Sequence, residues 1–271
     1  MIVSMIALII ILLGITIGGL LIGLGVHFVP VGGAPAAMAQ ATGIGTGTTM
    51  LAFASGALGL ISAGFTMNDI MNGSLKSTYP GFGSALASGT LLEPSGISAN
   101  LMPILLVLVA GIVGAMLMMV ILAVVANILY SFAIGVPLVS AKVKYDPITG
   151  DRQDLWVTRG TEGHGTPTVA VISSLFGGLF GGLGGAMLYL AFMAGGFADP
   201  KLGVAGIAAA AFLTIGVFFV NSVLASYNIT GTIEGFHDPK FKRLPRAIIA
   251  CTIASFVLGI WAFALFYMGV V

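Results

Sequence analysis

The feature that most constrains this chain is a set of long stretches without a charged side chain, at 2–26, 49–66, 101–126, 168–194, 203–224 and 247–270. A helix rises about 1.5 Å per residue, so about 20 apolar residues cross the roughly 30 Å of a bilayer's hydrocarbon. The remainder of the chain cannot compensate. Ten Lys and Arg and nine Asp and Glu among 271 residues are too few for a soluble domain, in which roughly a quarter of residues are charged. The apolar runs show no alternation of period two, which argues against the strands of a membrane barrel. The expected fold is an all-α membrane protein with six transmembrane helices, forming a single integral membrane domain over 1–271.

A net charge of +1 supplies neither an electrostatic footprint for nucleic acid nor a polybasic surface for peripheral membrane binding. The expected surroundings are lipid and other proteins. Cys251 is the single cysteine, which rules out an intrachain disulfide and a cysteine-ligated zinc or iron–sulfur site. The opening Met-Ile-Val-Ser-Met has no basic region, and the apolar run after it is too long for a secretory signal core, so this run is expected to remain as the first span.

Six spans place the connections 27–48, 127–167 and 225–246 on one side of the membrane. They hold Lys142, Lys144, Arg152, Arg159, Lys240, Lys242, Arg243 and Arg246, against Lys76 and Lys201 on the other side. Basic connections stay in the cytoplasm. The chain is therefore expected to be a multi-pass protein of the cell membrane with both termini outside and the three long connections cytoplasmic.

Glycines recur at a spacing of four, as Gly14 and Gly18, Gly19 and Gly23, Gly177 with Gly181 and Gly185, and Gly178 and Gly182. Such stripes let backbones approach closely, where van der Waals contact replaces the missing hydrophobic drive. The fourth span is expected to be the most enclosed, through packing in the bundle or a subunit interface. Each cytoplasmic connection holds a histidine and a nearby proline, and Glu162-Gly-His164 echoes Glu234-Gly-Phe-His237. Three repeated hairpins would give this pattern; so would chance.

All nine acidic residues fall outside the spans as drawn, whereas an ion pump usually carries an intramembrane carboxylate. The groups on offer are neutral: Asn127, Tyr130 and Ser131 at the inner end of the third span, and Asn221, Ser222, Ser226, Tyr227 and Asn228 at that of the fifth. Such oxygens coordinate a hard cation such as sodium or bond helices to one another, and both readings stay open. The connection after the first span, rich in glycine and proline and free of charge, reads either as a re-entrant half-helix or as a packed interfacial loop. His27, His164 and His237 are candidate metal ligands or structural residues. No catalytic constellation or nucleotide fingerprint is present, and the 127–167 connection is too short for a catalytic domain. No cofactor is expected on this chain.

The segments Gly25-Val-His-Phe-Val-Pro-Val-Gly-Gly-Ala-Pro-Ala-Ala-Met38, Val139-Ser-Ala-Lys-Val143, Asp146-Pro-Ile-Thr-Gly150, Gly160-Thr-Glu-Gly-His-Gly165, Ser226-Tyr-Asn-Ile229 and Gly231-Thr-Ile-Glu-Gly-Phe-His-Asp-Pro-Lys-Phe-Lys-Arg243 closely resemble the D subunit of the tetrahydromethanopterin S-methyltransferase of methanogenic archaea. The resemblance implies a non-catalytic membrane subunit of a complex that moves a methyl group from methyl-tetrahydromethanopterin to coenzyme M and exports sodium. It places the cobamide in a partner protein of the complex and makes the C and E membrane subunits the partners. The 67–100 connection looks longer than the family pattern. On this reading Asn127, Asn221 and Asn228 are candidates for the sodium path. Glu162, His164, Glu234, His237, Asp238, Lys240, Lys242 and Arg243 are candidates for loop capping or partner docking. The competing functions are a stand-alone secondary transporter and a purely structural scaffold.

Overall fold

The computed structural model describes residues 4–29, 44–131, 167–229 and 242–268. Among these the chain is helical almost throughout and contains no strand. The spanning helices are α1 (Met5–Phe28), α2 (Ile44–Asn72), α5 (Leu101–Ser131), α6 (Pro167–Phe192), α7 (Gly203–Ile229) and α8 (Leu244–Tyr267). Two short helices, α3 (Pro80–Ser88) and α4 (Pro94–Ala99), lie between α2 and α5. All six long helices are apolar enough to cross a membrane.

Side-chain size, rather than polarity, separates the inside of the bundle from its outside. On α1 the buried positions include Gly18, Gly19, Ile22 and Gly23, while Ile6, Ile9, Leu13 and Ile17 face outward. On α5, Gly111 and Ala115 turn inward, and Leu105, Val109, Val113, Leu117 and Ile121 turn outward. Lipid is as apolar as leucine, so the bundle gains by turning small residues inward, where backbones meet. Ser4 caps α1, its hydroxyl accepting from the Ala7 N–H at 3.2 Å.

As expected, α6 is the central helix: 67% of its apolar stretch is buried, against 39% or less in the others. It packs on α1 and α5 most extensively and on α2, while α1 also packs on α7 and α8. The packing lends no support to three repeated hairpins. The first such hairpin, α1 with α2, makes little contact, while α5 and α6 lie against each other along their length.

α1, α5 and α7 finish, and α2, α6 and α8 begin, at one end, here the motif end. The opposite end is a cap. There Pro80 and Pro94 start α3 and α4, the first-turn position that a missing N–H suits, and Gly89 ends α3 in the left-handed region at φ 75°. Phe82, Leu86 and Leu91 are fully buried and join Met67, Ile70, Phe192 and Phe197 in one apolar core. Charge pattern alone did not predict these helices.

Several boundaries move, α2 beginning at 44, α5 running to 131 and α7 to 229, and two further shifts change the chemistry. α2 runs on to Asn72, beyond the limit at 66, and so takes in Asp69; one carboxylate thus lies within a spanning helix. It sits near the cap end, where Asp69 Oδ1 accepts from the Ser74 N–H at 2.9 Å and closes the turn that follows. α6 continues into a π turn, Met193–Phe197, broken at Gly196 with φ 126°, a conformation that only glycine adopts without strain. The connections 30–43, 132–166 and 230–241 lie outside the described residues. The re-entrant segment therefore lies outside them too.

Candidate functional site

The buried polar side chains are unevenly distributed. His27, Thr49, Ser55, Ser173, Ser174, Asn221, Ser222, Ser226 and Ser255 all belong to the motif-end half, whereas Thr214 lies near mid-bundle and Asn100 is buried at the cap. In hydrocarbon every such group needs a partner. Several find one in their own helix: Ser55 Oγ donates to the Ala52 carbonyl at 2.8 Å, Thr214 Oγ1 to Ala210 at 2.7 Å, and His27 Nδ1 to Gly23 at 2.7 Å. These bonds lie within single helices and do not join two.

Asn221 does join helices. It is fully buried where α1, α7 and α8 meet, and its Nδ2 donates to the Val217 carbonyl at 2.8 Å and to Ser255 Oγ at 2.9 Å. Ser255 Oγ in turn donates to the Cys251 carbonyl at 2.7 Å. The Cys251 thiol points at the Asn221 carbonyl, 3.8 Å away. The opposite wall is α1, where Gly19 faces Ser255 and Asn221 and Gly23 faces Cys251 so closely that a Cβ at either glycine would collide.

This network fixes the amide. A flip would set Oδ1 against the Val217 carbonyl, acceptor against acceptor. Both N–H groups are used, and Asn221 Oδ1 is left buried with no hydrogen-bond partner among the described residues. Ser222 Oγ, on the next residue, is likewise buried without one. An unmet buried acceptor costs about 1–3 kcal/mol.

The other amides are placed differently. Asn228 Nδ2 donates to the Arg243 carbonyl at 2.9 Å, and Arg243 Nη1 donates to the Asn228 carbonyl at 3.1 Å, a clasp that ties the end of α7 to the start of α8. Asn127 lies near the motif end of α5, which packs chiefly on α2 and α6. Asn221 and Asn228 therefore stand apart on α7, each with its own partners, and the side chain of Asn127 lies outside the described residues. Lys242 and Arg243 are exposed at the entrance to α8. Glu162, His164, Glu234, His237, Asp238 and Lys240 lie outside the described residues. Ser255 and Cys251 were not singled out from the sequence; their spacing of four, within a helix whose other face is aliphatic, was the available signal.

A family model for the D subunit of tetrahydromethanopterin S-methyltransferase matches residues 8–79 and 80–255. The two matched segments adjoin within the 67–100 connection. The D subunit of the Methanothermobacter marburgensis enzyme is 49% identical over 258 residues, covering 94% of this chain and 96% of that protein. The one from Methanosarcina barkeri is 48% identical over 257 residues, 92% of this chain and 90% of its own length. That from Methanocaldococcus jannaschii is 45% identical over 249 residues, 92% and 93% of the two chains.

Proposed function

The chain belongs to the family of D subunits of tetrahydromethanopterin S-methyltransferase, and from that premise we propose that it is a non-catalytic membrane subunit of the complex that transfers a methyl group from methyl-tetrahydromethanopterin to coenzyme M and exports sodium. The observation that carries this reading is Asn221 Oδ1, an oriented, unpartnered oxygen deep in a membrane bundle. Moving a bare cation into hydrocarbon is prohibitive unless oxygens replace its water. A neutral amide and hydroxyls supply such oxygens without a charge of their own.

The methyl-transfer chemistry belongs to partner proteins of the complex. We assign the cobamide to the same partner proteins. The partner membrane proteins, the C and E subunits in this family, supply the carboxylate that the described spanning helices lack toward the motif end. The described acids Asp69, Glu93 and Asp199 all lie at the cap.

The motif end faces the cytoplasm and both termini face outward, a reading supported by the distribution of basic residues. The 145–165 and 231–246 segments dock partners there, their charges setting register more than affinity. Asn228 holds the rim of the path through Arg243.

Native mass spectrometry of the chain purified in mild detergent tests the assignment. The expected result is co-purification with the other methyltransferase subunits. A chain that purifies alone and transports a solute in liposomes would be a secondary transporter instead.

A further inference from the structure

The first and second halves of the chain are the same three-helix unit, inserted in opposite directions. Residues 17–25, Ile-Gly-Gly-Leu-Leu-Ile-Gly-Leu-Gly, correspond to 176–184, Phe-Gly-Gly-Leu-Phe-Gly-Gly-Leu-Gly, with six of nine positions identical at an offset of 159. The structure obeys the same register. A Cβ on Gly18 would lie 2.9 Å from the Gly184 carbonyl oxygen, and one on Gly25 would lie 2.9 Å from that of Gly177, so the α1–α6 crossing maps onto itself when the helices are exchanged.

The offset continues through the second pair of helices. Ser55 of α2 and Thr214 of α7 are both buried and both bond back to their own helix. In the third pair the offset is 140, because the cap segment lengthens the first half. Buried Val107, Gly111, Ala115 and Met119 of α5 correspond to buried Ala247, Cys251, Ser255 and Gly259 of α8. Gly111 faces Gly182 as Cys251 faces Gly23. Consecutive spans alternate in direction, so units of three helices are inverted across the membrane.

This symmetry supplies an internal control for the Asn221 pocket. The counterparts of Asn221, Cys251 and Ser255 are Ser62, Gly111 and Ala115; Ala115 packs against Gly178, Gly111 and Ala115 against Gly182, the counterparts of Gly19 and Gly23, while Ser62 packs against Gly114. The counterpart of Ser222 is Ala63. One fold, in one chain, closes the cap-end pocket with small residues. The amide, thiol and hydroxyls of the motif-end pocket are therefore not demanded by packing.

We propose that the motif-end pocket at Asn221, walled by Gly19, Cys251 and Ser255, is a binding site for a partly dehydrated monovalent cation, entered from the motif end, with the cap-end pocket at Ser62 as its closed counterpart. The unpartnered Oδ1 of Asn221 is the ligand that the network orients, and Ser222 is the second oxygen at that depth, about two turns in from the end of α7. Neutral oxygens suit a monovalent ion. A divalent one costs far more to dehydrate and calls for carboxylates. An amide and hydroxyls do not ionise near neutral pH, so they are not titrating proton carriers.

This inference rests on the sodium-coupled reading above, and the test separates the two. The Asn221→Ser and Ser255→Ala double variant, which copies the cap-end residues into the motif-end pocket, is assayed in the intact complex for methyl transfer against sodium concentration. The expected result is an assembled complex whose half-saturating sodium concentration rises roughly tenfold, with rate restored at high sodium, the effect of ~1.4 kcal/mol. An assembled variant with unchanged sodium dependence overturns the site and assigns the pocket to packing and water. A wild-type complex with no sodium dependence overturns the coupled reading itself. Should the double variant fail to assemble, Ser255→Ala alone, which frees the amide but keeps Asn221, is read by the same criterion.

Discussion

Gly18 and Gly184 pack so tightly that a Cβ built on Gly184 would lie 2.5 Å from the Gly18 carbonyl oxygen. The two helices at the centre of the bundle thus meet backbone to backbone, with no flexible side chain to give way. Gly184→Val should destabilise the fold by ~1–3 kcal/mol or more, the range for overpacking a closed site. Thermal inactivation of the purified complex and its monodisperse yield measure this. Gly216, which has open space where a Cβ would be, is the control, and Gly216→Ala should be silent.

The Asn228–Arg243 clasp makes a prediction about additivity. Each side chain bonds the other residue's main chain, so Asn228→Ala leaves the Arg243 bond in place and the reverse also holds. Each substitution should cost about 1 kcal/mol or less at this partly exposed junction, and the double variant should cost close to their sum. A coupling energy above ~1 kcal/mol would show that the two side chains depend on each other after all.

Docking at the motif end is separable from that clasp. Replacing Lys240 and Lys242 by serine, with Arg243 retained, should loosen the complex as salt rises, because exposed charges act at long range and are screened. Subunit retention on a column at low and high salt reads this. A complex intact at high salt would make those lysines solvated or lipid-facing.

Orientation can be read with a thiol probe on a nearly silent background. The only cysteine, Cys251, is fully buried in α8 and should not react with an impermeant reagent. Ser77→Cys should label from outside intact cells and Lys242→Cys only after the membrane is opened, both side chains being exposed. Labelling in the opposite sense would invert the topology.

Much of this fold was legible because hydrocarbon imposes a simple rule. Runs without charge marked all six spans, and the glycines of 177–185 marked α6 as the enclosed helix. The cap was not legible. Pro80, Pro94 and Gly89 punctuate two helices of one or two turns, and in sequence the same residues read as a loop. The inverted repeat was hidden for a different reason. Its identities are glycines and leucines, which any spanning helix can share, and only the facing pairs Gly18–Gly184 and Gly25–Gly177 distinguish register from composition. The short Glu-Gly-His echoes suggested hairpins instead. Asn221 was visible as a candidate, but its partner was not, since a lone serine in an apolar run carries no pattern until α8 is set against α7.

The most direct test is the movement of radioactive sodium in liposomes that hold the complex with its motif end outward. Methyl-tetrahydromethanopterin and coenzyme M are added outside, and methyl transfer and sodium uptake are followed together. The expected result is uptake that begins only when both substrates are present, and that in the Asn221→Leu complex falls together with methyl transfer at low sodium and recovers at high sodium. Methyl transfer at full rate without sodium, and with no uptake, would contradict the assignment of this chain to an ion-translocating complex.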